Sequence, residues 1–170
     1  PWADPKPLTR AWCLWEILYG AKGELGVILS REERVRFRRA LVEDFDSVEK
    51  KFSAIDLRNS ETRDPKDKEM IFKAVADDIG MSELNQLVME KLREWLAKTA
   101  REELDALPAD ERATSMLINQ VARLLYQQGK YDEAEALFRE ALEGRREKLG
   151  AKHPDTLTSI NNLGMLLEAR

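Results

Sequence analysis

The sequence predicts a mainly α-helical protein that ends in repeated helix-turn-helix units and begins with a helix-rich segment of mixed α/β character. Three observations carry this. Leu117 to Tyr126 reads LINQVARLLY, and 42 residues later Ser159 to Glu168 reads SINNLGMLLE, with Ile, Asn, Leu and Leu recurring in place. Self-similarity at such a period marks stacked units, none of which can bury its apolar face alone. Elsewhere apolar residues recur three and four apart between recognisable helix starts and stops. The 170 residues, 43% apolar and 35% charged, suffice for one ordinary domain or two small ones.

Thr9 can cap a first helix over Ala11 to Tyr19, AWCLWEILY, which Gly20 and Gly23 terminate; its composition requires burial. Leu25 to Leu29 is short, apolar and partly β-branched, the pattern of a strand. Ser30-Arg-Glu-Glu33 matches a capping box, so a helix should follow. Val35, Phe37, Leu41, Val42, Phe45, Val48, Phe52 and Ile55 recur through it at helical spacing. Asp56 to Asp67 is polar and reads as a loop leading to a proline-containing helix start. A helix over Lys66 to Ile79 then stops at Gly80, which can adopt the left-handed conformation. Ser82 restarts the chain into a long helix with a stripe of Leu84, Leu87, Val88, Leu92, Trp95 and Leu96, ending near Leu107-Pro108. Pro108-Ala-Asp110 is the expected boundary between an N-terminal part, 1–107, and a repeat part, 108–170. The latter should hold helices near 110–128, 131–149 and 154–170.

In the complete unit Leu117, Val121, Leu124 and Leu125 form the packing stripe, and the small Ala122 admits a close neighbour. Gly129 permits the sharp turn, and the next helix presents Tyr131, Ala134, Phe138 and Ala141, alternating rings with gaps. This pattern resembles the tetratricopeptide repeat, whose small residue, Gly-x-Tyr turn and Ala-Phe-Ala spacing are met by Ala122, Gly129, Tyr131, Ala134, Phe138 and Ala141. The long loop and the stretch KLGAKHPDTLTSINNLGMLLEA resemble the 42-residue variety of kinesin light chains. The resemblance covers about 112–170 and implies a superhelix whose concave wall, built by the first helices of each unit, holds a peptide or partner helix. Carried over residue by residue, that wall comprises Asn119, Arg123 and Tyr126, then Asn161, Met165 and Glu168. An asparagine amide can donate to and accept from an extended backbone, which makes Asn119 and Asn161 the leading binding candidates.

Glu16 is the only charged residue of the first helix, and an unpaired buried carboxylate costs several kcal/mol. Arg10-Ala-Trp-Cys-Leu-Trp-Glu-Ile17 resembles the Trp-Cys-x-x-Glu segment of TIR-like domains, and the element order to Lys98 is compatible with the second half of a truncated flavodoxin-like α/β fold. That resemblance implies self-association, or cleavage of NAD with Glu16 beside the ribose, where a carboxylate would stabilise an oxocarbenium-like transition state. The early strands and nucleotide-contacting loop would precede Pro1, so no activity is expected of these 170 residues.

Twenty-eight basic against 32 acidic residues, a formal charge of −4, disfavour a nucleic-acid or membrane surface. The arginines at 31, 34, 36, 38 and 39 are interleaved with Glu32 and Glu33, which fits a solvated helix face. Cys13 alone cannot form an internal disulfide, and His153 has no metal-ligand partner at suitable spacing, so no metal and no resident cofactor are expected. With no long apolar span, a cytoplasmic setting fits. The next turn glycine would fall at position 171, and the sequence opens without methionine, so it reads as a fragment cut at both ends. The sequence as a whole points to a protein-binding adaptor or scaffold; the alternative is a TIR-like effector whose repeats sense a partner.

Overall fold

A computed structural model describes residues 30–62 and 64–169. The apolar helix at 11–19, with Cys13 and Glu16, and the strand at 25–29 lie outside the described residues. The described residues are mainly helical, with no strand among them; the α/β part of the expectation rests on the segment outside. The chain divides into two compact units, described in turn: 30–40 with 46–95, and 41–45 with 96–170.

In the first unit the capping box closes as the sequence predicts. Glu33 N donates to Ser30 Oγ at 3.3 Å and Ser30 N donates to Glu33 Oε2 at 3.2 Å, opening α1, Arg31–Glu43. The chain breaks at Asp44 and resumes as α2, Phe45–Ser53. Phe37, Val48, Phe52 and Ile55 are buried, whereas Val35 and Val42 are exposed, correcting the longer stripe read from sequence. At 100° per residue Val35 falls two positions and Val42 five positions from Phe37, on another face of the helix. Trp95 stands 5.4 Å from the Phe37 ring and 5.8 Å from that of Phe52, making an aromatic cluster of offset rings.

The polar stretch after Ile55 folds into a 3-10 turn, Leu57–Asn59, fixed by Asp56. Asp56 accepts from Arg58 N at 2.9 Å and from Asn85 Nδ2 at 2.8 Å, and pairs with the Arg58 guanidinium at 2.6 Å. Asp64 then caps α3, Pro65–Asp78, by accepting from Lys66 N, with proline in the first turn where a missing N–H costs nothing. Gly80, at φ 82°, reverses the chain into α4, Met81–Asp105. Its buried Leu84, Val88 and Leu92 belong to the first unit, and its buried Leu96, Ala100 and Leu104 to the second. The division between units thus falls inside α4, upstream of Pro108.

The second unit continues with a single turn, α5, Ala109–Arg112, and then α6, Met116–Gln127. The sequence predicts one helix across this region; the break comes at 113–115, where Ser115 Oγ accepts from Leu117 N at 3.2 Å and begins a new helix. Gly129, at φ 74°, ends α6 with Lys130 N donating to Leu125 O and Gly129 N to Tyr126 O, the paired bonds of a Schellman stop. Next come α7, Tyr131–Leu149, and α8, Pro154–Glu168, both near their predicted limits. His153 Nδ1 accepts from Asp155 N at 3.2 Å, a helix-capping role. The α7 helix packs against both α6 and α8. Ala122, Ala134 and Ala141 are fully buried, and these small side chains let the helices approach closely.

Candidate binding groove

Side chains three and four residues apart on α6 share one face, and the same holds on α8. From α6, Asn119, Gln120, Arg123 and Tyr126 line one wall of a cavity of about 390 Å³; from α8, Thr158, Asn162 and Met165 line the other. Phe138 of α7, 5% exposed, contributes an aromatic surface between them. The lining thus combines amides, thioethers and rings with one cationic side chain, Arg123. Met116 and Met165 are exposed, flexible and polarisable, suited to an irregular apolar ligand surface. The Tyr126 ring lies 5.5 Å from that of Tyr131, which bridges the end of α6 to the start of α7.

Four of the six residues expected on the wall line this cavity: Asn119, Arg123, Tyr126 and Met165. Asn161 and Glu168 are exposed and outside it. On α8 the lining is Thr158, Asn162 and Met165, the counterparts at 42 residues of Met116, Gln120 and Arg123. The repeat therefore holds, but the face of α8 is rotated from the one expected by about one position. Glu16 lies outside the described residues.

Beneath the wall lies a residue that the sequence reading passed over. Arg145 of α7 is fully buried. Its Nη1 donates to Ser159 Oγ at 2.8 Å, and its Nη2 to Ser115 O at 3.1 Å. Asn119 is only 7% exposed, and its amide takes the orientation that sets Oδ1 toward the guanidinium, since the opposite one would oppose two donors. Oδ1 then accepts from Nη1 at 2.7 Å and Nη2 at 3.3 Å. Burial pushes the Arg145 guanidinium below its ordinary value while the Asp155 carboxylate acts in the opposite direction. A cation held chiefly by neutral oxygens joins α7 to α8 and to the start of α6. Its signal was in the sequence: Ala134, Phe138, Ala141 and Arg145 fall on one stripe, and a charge on an otherwise buried stripe calls for acceptors.

A second charged cluster secures the start of the repeat. Arg112 Nε donates to Glu140 Oε1 at 2.6 Å, and the same guanidinium binds Asp105. The Glu140 hydrogen bond leads the rise in the Arg112 value. At Asp105 burial acts upward but is outweighed by hydrogen bonds from Arg112 and Arg101, leaving the carboxyl below its usual range.

Among the described residues no group of three or more His, Cys, Asp or Glu side chains could hold a metal ion, and no helix is long and apolar enough to cross a membrane. No curated protein and no solved structure matches the chain. The antiparallel pairing of α6 and α7, the return of α8 onto α7, and the small-residue crossings agree with the tetratricopeptide repeat, a family whose model matches residues 111–170.

Proposed function

We propose that the groove between α6 and α8 binds a segment of a partner protein, and that the chain serves as an interaction adaptor. Tetratricopeptide repeats generally mediate protein association, and the carrying observation is the groove itself. One face of two helices presents Asn119, Gln120, Tyr126 and Asn162 beside exposed methionines, with a single cationic residue, Arg123. Amides suit the polar main chain of an extended segment, while thioethers and rings suit its apolar side chains. Asn119, Arg123, Tyr126 and Met165 are the proposed contacts; Asn161 and Glu168 flank them. The 42-residue spacing supports the kinesin light chain-like variety of repeat, without indicating a motor or cargo. The TIR-like reading, with Glu16 beside an NAD ribose, is supported by Arg10 to Ile17 alone.

Peptides selected from a random display library on the 170-residue chain provide the test, with affinities measured by calorimetry. Gln120→Lys plus Met165→Glu should weaken binding at least about tenfold, since hot-spot contacts each cost more than about 1 kcal/mol. Asn161→Ala plus Glu168→Ala should change it little. Selected peptides indifferent to the first pair would end the reading.

A further inference from the structure

We propose that Arg145 fixes the Asn119 amide as a one-way hydrogen-bond donor toward the groove, so that a bound segment must place a carbonyl oxygen at that point. A free carboxamide offers both an acceptor and two donor hydrogens, and can turn to suit its ligand. Asn119 cannot turn freely. Its Oδ1 is taken by two guanidinium donors at 2.7 and 3.3 Å, and reversal would set NH2 against a buried cation. Arg145 is itself held by Ser159 Oγ at 2.8 Å and Ser115 O at 3.1 Å, so the guanidinium cannot swing aside. Asn119 lines the groove, and with Oδ1 held by the guanidinium the NH2 end is what the amide can offer a ligand. An arriving N–H would find no acceptor there, whereas a backbone carbonyl oxygen would find a donor. Arg145 is thus a positioning residue: it touches no ligand, yet determines which polarity of group the groove reads.

The inference rests on the groove reading, and the test separates the two. A library-selected peptide is resynthesised with sulfur replacing oxygen at each backbone carbonyl in turn, which weakens acceptance and leaves every N–H in place. The wild-type chain should lose up to about tenfold in affinity at one carbonyl, the scale of a single hydrogen bond. Asn119→Asp keeps an acceptor for Arg145, and so the fold, but has no donor. It should bind the all-oxygen peptide about tenfold more weakly and no longer distinguish oxygen from sulfur at that carbonyl. Arg145→Lys, which relaxes the clamp on the amide, should bring the oxygen-to-sulfur ratio toward one. A merely structural role would lower all affinities together and preserve that ratio. Discrimination persisting in Asn119→Asp, or absent from the wild type, would overturn the inference while Gln120→Lys plus Met165→Glu still weakened binding. A peptide insensitive to that pair would instead overturn the groove reading.

Discussion

Replacing Arg145 by methionine removes the buried cation while refilling most of its volume, and the structure sets the scale of the effect. Charged hydrogen bonds to Ser159 Oγ, Ser115 O and Asn119 Oδ1 are lost, each contributing roughly 1.5–3 kcal/mol. Against this, the several kcal/mol spent on desolvating the guanidinium is recovered. Two of the acceptors survive in part: Ser159 Oγ still donates to Asp155 O, and Ser115 O begins the α6 hydrogen-bond ladder. Asn119 Oδ1 is the group left without a partner, at a cost of about 1–3 kcal/mol. The net expectation is a loss of ~2–3 kcal/mol, with Arg145→Ala losing more because a cavity remains. Urea denaturation followed by far-UV circular dichroism is the suitable assay. All four tryptophans lie at or before position 95, so their emission would not report residues 96–170. With slopes of about 1–3 kcal/mol per molar urea, the midpoint should fall by roughly 1–2 M. A fall below about 0.3 M would refute the view that this cation organises the repeat.

Glycine substitutions should separate strain, clash and entropy. Gly129→Ala meets open space but forces a β-carbon into φ 74°, which should cost about 1 kcal/mol. Gly144→Ala would drive its new methyl into Ala113 Cβ and should cost more, about 1–3 kcal/mol, whereas Gly164→Ala, mid-helix with nothing nearby, should gain ~0.5–1 kcal/mol; thermal melts rank the three. The Arg58 guanidinium beside Asp56 holds that carboxyl down at about 2, against an ordinary 3.8. A depressed value contributes stability above 3.8 that is lost as pH falls through about 2, so the deficit of Asp56→Asn should be present at neutral pH and vanish across that window. Because Arg58 is largely exposed, the deficit should stay below ~1 kcal/mol, and a pH-independent difference in melting would contradict the assignment.

Helix existence was legible wherever caps and spacing agreed: the Ser30 box, Asp64 before Pro65, the glycines at 80 and 129, and the full length of α7 all follow from local rules. The break at 113–115 was not, because Arg112 draws that turn toward Glu140 and Ser115 restarts the helix against α7, contacts distant in sequence. Likewise the 42-residue recurrence determined the repeat, its turn and its small-residue crossings, since each is a matter of periodicity and backbone freedom. Which residues the groove presents was decided only in three dimensions. Asn119 and Asn161 are equivalent in sequence, yet only Asn119 faces a buried guanidinium from α7 and lines the cavity, while Asn161 stays in solvent. A repeat repeats its helices; the neighbours of each side chain, and hence its chemistry, depend on what packs against it.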